Sequence, residues 1–265
     1  MQYRPIRERP VEEIVDALLR WTEKTGWEEI GLVSLASCDY SGLKDVMERL
    51  KPMLEQKRVK LSLPSLRMDA FSVGLAAALE PVRRGGLTFA PEAGTQRLRN
   101  VINKGVSDED IESTLEAAFS RGWERIKLYF MMGLPTETRE DLEGIAKISE
   151  RAAAIGRAHK KRTEIAVSIA GFVPKPHTPF QWEKQATVEE LSERGRFVKR
   201  LVNNRHVTVR YHESEQTWLE GVFARGDRRL AGVIHEAWKA GARFDGWTET
   251  FRPDVWRAAF VAGGV

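Results

Sequence analysis

Residues of catalytic type recur in this sequence in short runs that each follow an apolar stretch. Glu92 and Thr95 stand in Ala90-Pro91-Glu92-Ala93-Gly94-Thr95, after the apolar segment 87–90, and Gly133, Pro135 and Thr136 stand in the Gly-Leu-Pro-Thr-Glu-Thr run at 133–138, after the segment 125–132. Earlier runs carry Ser34, and Ser65 with Arg67; a later one carries Lys175 and His177. Lys127 and Tyr129 are two residues apart, so they share one face of an extended segment. A carboxylate such as Glu92 accepts hydrogen bonds from ligand hydroxyl or amino groups, and Arg67 suits an anionic group that its planar guanidinium can grip. A lysine inside a barrel is costly unless it is paired or faces a ligand; facing outward it is ordinary surface. Structural roles compete at each position. Thr136 and Thr138 precede an amphipathic run and suit helix caps, Thr138-Arg139-Glu140-Asp141 reads as a loose capping box, and Thr95 can cap the helix that follows it.

Several chemistries are excluded by what is missing. The sequence holds one cysteine, Cys38, so no disulfide framework or Cys-rich metal site can be built from this chain alone. With no histidine near it in sequence, Cys38 reads as a small half-buried residue rather than a nucleophile. The histidines (His159, His177, His206, His212, His235) show no zinc spacing, and only His177, beside Pro176 after an apolar run, is expected in a pocket. No P-loop and no Gly-x-Ser-x-Gly elbow is present.

The elements that must position these runs alternate. Residues 11–23 have helical apolar spacing and stop at Gly26; 30–35 is a short apolar run; 43–54 is helical again. The strand-helix step recurs at 59–63 with 71–79, and at 87–90 with a helical stretch through Phe119. It recurs twice more, at 125–132 with 139–158 and at 164–172 with 188–203, before a short strand at 207–211. Such alternation predicts parallel strands with helical crossovers, and in that architecture ligands collect beyond the carboxyl ends of the strands. Two regions are expected: a barrel over 1–210, and a helical, Trp- and Arg-rich extension over 211–265 that packs on it.

With 265 residues and 42% hydrophobic content the chain can bury a large core, and a net charge of +4 over 42 basic and 38 acidic residues describes a mixed solvated surface. No apolar run approaches bilayer length, and the single cysteine suits a reducing cytoplasm, so a cytoplasmic protein with no membrane partner is expected.

The runs at 90–95 and 133–138, together with Arg97-Leu98-Arg99, Asn103-Lys104-Gly105 and Arg139-Glu140-Asp141-Leu142, resemble the radical S-adenosylmethionine (SAM) superfamily. The similar branch is that of methylthiotransferases and, more closely, of bacterial proteins joining a cobalamin-binding domain to a radical SAM barrel. The resemblance spans roughly residues 3–260. It implies an α/β fold, a partial (β/α) TIM-like barrel with its first strand missing. SAM would face Glu92, Thr95, Lys127, Tyr129, Gly133, Pro135 and Thr136, and a substrate pocket would draw on Ser34, Ser65, Arg67, Lys175 and His177.

The family also implies a 4Fe-4S cluster held by a Cys-x3-Cys-x2-Cys loop. That loop is absent here, and residues 2–10 are similar to the segment that follows it. The expectation is therefore a piece of a radical SAM enzyme of unassigned substrate, inactive alone, with cobalamin confined to full-length relatives. A non-catalytic nucleoside- or RNA-binding module working with a cluster-bearing partner is the alternative, and an ordinary barrel enzyme of merely similar architecture is a third. A strand edge left open near Ile30 would invite a second copy of the chain or another partner.

Overall fold

The computed structural model describes residues 7–32, 40–62, 68, 86–159 and 162–264. Ser34, Cys38, Ser65, Arg67 and the helix expected at 71–79 lie outside the described residues.

Helix α1 (Val11–Thr25) turns Val15 and Leu18 inward and stops at Gly26, whose φ of 66° lets its amide reach the Thr22 carbonyl at 3.1 Å. Strand β1 (Glu29–Gly31) and strand β2 (Lys60–Ser62) flank helix α2 (Leu43–Lys57) and pair in parallel, Ile30 opposite Leu61. Among the described residues no strand pairs with the other side of β1.

Four further strands form a parallel sheet in chain order: β3 (Leu87–Glu92), β4 (Arg125–Met132), β5 (Glu164–Gly171) and β6 (Val207–Tyr211). Neighbours in space are neighbours in sequence, so each crossover steps the same way and the crossover helices collect on one face. Those helices are α3 (Gln96–Val101) and α4 (Asp108–Ser120), then α5 (Arg139–His159), then α6 (Val188–Leu201). A sheet covered on one face only by sequential crossovers is part of a barrel.

The alternation along the strands shows which face the helices cover. Ile126, Leu128, Phe130 and Met132 of β4 and Ile165, Val167 and Ile169 of β5 are buried in a core that also holds Leu115 and Phe119 of α4, Ile145 and Ala153 of α5, and Leu191 and Val198 of α6. Leu61 of β2 and Leu50 of α2 belong to that core as well, so one hydrophobic interior joins the two sheets. The intervening residues turn to the opposite, lumenal face, and most are only half-buried or exposed.

The helical stretch expected to run through Phe119 is interrupted at 102–107. Arg99 explains the break: it is fully buried, its Nε donates to the Val106 carbonyl at 2.9 Å and its guanidinium to the Ala93 carbonyl at 3.1 Å, and it pairs with Asp108. A buried cation held by carbonyls fixes the loop that supplies them. Ser107 then starts α4 with a capping box closed by Asp110.

Beyond β6 come α7 (Ser214–Arg225), α8 (Leu230–Lys239) and α9 (Pro253–Ala262). They share a separate small core of Leu219, Leu230, Val233, Ala237, Trp256 and Ala259, with edge-to-face rings at Trp218–Phe260 (5.4 Å) and Phe223–Trp256 (5.3 Å). Helix α7 joins this unit to the barrel by packing on α6 and β5. Packing accounts for part of the aromatic content only, because Trp238, Phe244 and Trp247 are exposed. Among the described residues no helix is long and apolar enough to cross a membrane.

Candidate functional site

The carboxyl ends of β3 and β4 are locked together by two glycines and one carboxylate. The loop after β3 lies against the first turns of α5 so closely that a Cβ on Gly94 would collide with the Asp141 carbonyl and the Ile145 amide, and one on Gly144 would strike the backbone of Gly94. Asp141, on the first turn of α5, is 2% exposed. It accepts from the Thr138 amide at 2.7 Å and the Thr138 hydroxyl at 2.9 Å, from the Thr95 hydroxyl, and from the Arg97 guanidinium. Burial pushes its carboxyl up, but the hydrogen bonds from Thr95, Thr138 and Arg97 outweigh this and hold it below the usual carboxylate range. Arg97 extends the clamp to Thr136, donating to its carbonyl at 2.9 Å and its hydroxyl at 3.2 Å.

Glu137 performs a second fixing role. Its side chain is 3% exposed, both carboxylate oxygens accept from the Gly133 amide at 3.0 Å, and Arg194 of α6 stands 3.2 Å away. Here burial wins, and the carboxyl is raised despite the Gly133 amide and Arg194. Gly133 (φ 83°) and Thr136 (φ 64°) bend this loop through the left-handed region, which for a threonine is sparsely populated.

These contacts redistribute the residues picked out by sequence. Thr95 caps α3, accepting from the Leu98 amide at 3.2 Å, and gives its proton to Asp141. Thr136 accepts from Arg97, and the Gly133 amide is taken by Glu137. Pro135 is half-buried between them. Glu92 differs: it sits at a register shift between β3 and β4, has a left-handed φ of 70°, and among the described residues its half-buried carboxylate is held by Lys104 alone, at 3.2 Å. Lys127 and Tyr129 lie on the lumenal face of β4, the Lys127 Nζ 4.5 Å from the Tyr129 ring centre. Lys127 is six residues before Gly133 along an extended strand, about 20 Å lower at roughly 3.3 Å per residue. The structure thus separates the set into a rim, with Glu92, Thr95, Gly133, Pro135 and Thr136, and a deeper tier with Lys127 and Tyr129. Lys175 and His177 join neither. Both are exposed in the loop after β5, Lys175 paired with Glu220 of α7 and His177 at a φ of 61°.

Sequence reasoning placed Arg97, Glu137 and Asp141 in the runs that resemble the family and read Asp141 as a cap, but foresaw neither the Arg97–Asp141 clamp nor the Glu137–Arg194 pair. The close contact of Gly94 with Gly144 had no signal in one sequence, since it depends on two segments 50 residues apart meeting in space.

The family model of the radical SAM superfamily matches residues 1–149, which include α1 through β4, the whole rim and the first half of α5. The chain belongs to the radical SAM superfamily. An uncharacterized protein of Methanocaldococcus jannaschii is 28% identical over 234 residues, covering 88% of this chain and 49% of that protein. The crystal structure of Streptococcus suis SuiB bound to precursor peptide SuiA superimposes with a TM-score of 0.54 at 11% identity, over 83% of this chain and 46% of that one. Coproporphyrinogen III oxidase of Escherichia coli, a radical SAM enzyme, gives 0.45 at 13% identity, over 86% and 52%. The chain spans about half the length of these relatives. SuiB shares the α/β fold, and the parallel sheet agrees with the partial TIM-like barrel expected from sequence.

Radical SAM proteins as a family use SAM and a 4Fe-4S cluster. The donor set of this chain does not fit the cluster: three thiolates are needed in this family and the sequence has one cysteine. Among the described residues no group of three or more His, Cys, Asp or Glu could hold a metal ion instead. For SAM the residues fit better. Beside Glu92 lies a small buried apolar cluster of Ala93, Leu98, Leu134 and Phe172, and half-buried Met131 at its edge offers apolar surface next to a carboxylate.

Proposed function

We propose that this chain is the SAM-binding part of a radical SAM enzyme, with SAM over the carboxyl ends of β3 and β4 and the cluster thiolates supplied by polypeptide outside these 265 residues. The observation that carries this reading is Glu92. It is a non-glycine residue in left-handed backbone at a strand irregularity, the kind of strain that packed structures retain where a side chain has to be aimed. Its carboxylate accepts from a ribose hydroxyl or from the SAM ammonium, while Lys104 holds it in place. Met131, half-buried at the edge of the apolar cluster, meets the adenine, and the backbone of 133–136 closes the rim. Thr95 and Thr136 act through the Arg97–Asp141 clamp, by holding that backbone still. SAM bound to a reduced cluster supplies the 5'-deoxyadenosyl radical; the barrel's part is to hold the substrate and exclude water. The side of β1 that has no strand partner among the described residues supports pairing with a cluster-bearing strand from outside the chain.

Calorimetric titration with SAM tests the reading. Without iron to chelate the amino acid moiety, a few hydrogen bonds of about 0.5–1.5 kcal/mol each remain, so affinity on the order of millimolar is expected. Glu92→Gln should weaken it about tenfold. No saturable binding, or binding indifferent to Glu92→Gln, contradicts the proposal. Micromolar affinity means a site complete without a cluster and favours the nucleoside-binding module.

A further inference from the structure

The lumenal face of β3–β6 carries polar side chains that make no hydrogen bond or ion pair with the other described residues. Thr88, Lys127, Tyr129, Ser168, Thr208 and Arg210 occupy the non-core positions of the strand alternation, and register aligns them in two rows. Thr88, Lys127, Ala166 and Thr208 follow one another across the sheet in the lower row; Tyr129, Ser168 and Arg210 do so in the upper. Among the described residues none of the six uses its side chain in a hydrogen bond or ion pair, although Lys127 lies over the Tyr129 ring. An acid on this face, Glu164 at the foot of β5, is already paired with Arg125 and Arg162.

Lys127 and Arg210 therefore face the lumen with no carboxylate paired to either among the described residues. Lys127 on β4 and Arg210 on β6 are two strands and one row apart, a backbone separation of about 12 Å from strand spacings near 4.8 Å and a rise of about 3.3 Å per residue. Between them β5 presents Ala166 and Ser168, whose small side chains leave room over the sheet. Long cationic side chains on either side of a small-residue strand form a trough that one anionic group can span, with the Tyr129 and Ser168 hydroxyls as further donors. A surface that had to be satisfied by the protein alone would have paired these groups, as the rim does.

We infer that the substrate carries a carboxylate or phosphate group, seated between Lys127 and Arg210 over Ala166 and Ser168. The inference rests on the reading of the lumen as the reaction chamber of a SAM-binding barrel, and moves Lys127 and Tyr129 from cofactor to substrate.

The test uses two probes, inorganic phosphate and succinate, titrated into the isotopically labelled full chain at constant ionic strength and followed by amide and arginine side-chain nuclear magnetic resonance. Saturable shifts at Tyr129, Ser168 and Arg210, with millimolar affinity, are expected from at least one probe, and which one responds separates phosphate from carboxylate. Lys127→Gln and Arg210→Gln should each weaken that binding about tenfold, whereas Arg157→Gln, in a basic surface groove of about 730 Å³ at the other end of the sheet, should leave it unchanged. Shifts confined to that groove, shifts that survive both lumenal substitutions, or no shifts from either probe overturn the inference. Repeating the titration with SAM present separates the two proposals. Anion binding that persists supports a substrate subsite; anion binding displaced by SAM assigns the cations to the cofactor and overturns the inference while SAM binding stands. Anion binding in a chain that does not bind SAM sinks the SAM reading instead.

Discussion

The rim and the lumenal face stand on the same strands and treat polar groups in opposite ways. At the rim, Asp141, Thr95, Thr138, Arg97 and Glu137 are tied to one another or to backbone. On the lumenal face, Lys127, Tyr129, Ser168 and Arg210 have no hydrogen-bonded partner among the described residues. Both tiers are rich in residues of catalytic type, so composition does not distinguish them. Satisfaction does: a polar group already engaged holds structure, and one left idle on an interior face is available to a ligand.

The strongest way to break the rim is to separate its backbones. Gly94→Ala places a methyl against the backbone of α5, which cannot move aside as a side chain could, and should destabilise the chain by about 3 kcal/mol or more. In a protein of this size that lowers Tm by roughly 10 °C. A change of a degree or two in thermal denaturation would show that the two loops are not locked.

Asp141→Asn comes next, with an expected loss of about 2 kcal/mol, because a buried acceptor of charge-assisted hydrogen bonds is replaced by a weaker one that also adds donors. The sign of its pH dependence follows from a depressed native pKa. The stability Asp141 contributes is present above its unfolded pKa and is lost as pH falls through its native value. Denaturant unfolding should therefore show the wild-type advantage over Asp141→Asn intact at neutral pH and shrinking in acid below about pH 4. An advantage constant down to pH 3 would dismiss the charge.

Glu137→Gln should act more weakly and with the opposite slope. A carboxylate raised by burial confers stability that is full below its unfolded pKa and is lost as pH rises through the native one. The variant should lie within about 1 kcal/mol of wild type at pH 7, and wild type should gain on it as pH falls toward 4. Parallel stability curves would mean Arg194 and the Gly133 amide offset the burial entirely.

Much of this contrast was readable in the sequence, and the unread part has a physical reason. The segment 125–132 became β4 to the residue, a short apolar run whose burial then falls on every second side chain. The helix break at 102–107 was missed because Arg99 looks like a surface residue until its carbonyl partners are known. The runs at 90–95 and 133–138 fall at the carboxyl ends of β3 and β4, yet sequence could not tell Thr95, whose hydroxyl is consumed by Asp141, from Glu92, whose carboxylate pairs with Lys104. Arg210 carried a weak signal, alternating with Val209 and Tyr211, that acquires meaning once register sets it beside Ser168.

The smallest structural effects should come from the lumenal face. Tyr129→Phe and Lys127→Gln remove groups with no hydrogen-bonded partner among the described residues, so each should change stability by about 0.5 kcal/mol or less by denaturant unfolding. A loss comparable to that of Asp141→Asn would place these side chains in the scaffold and erase the distinction between the tiers.

Hydrogen–deuterium exchange of the chain with and without saturating SAM tests most directly whether the strand ends of β3 and β4 are the cofactor site. Slowed exchange in peptides covering 90–96 and 131–136, with none in 214–262, is the result expected from a ligand that closes over Glu92 and the 133–136 backbone. Protection confined to the C-terminal helices, or no protection at concentrations that saturate the calorimetric signal, would contradict the account.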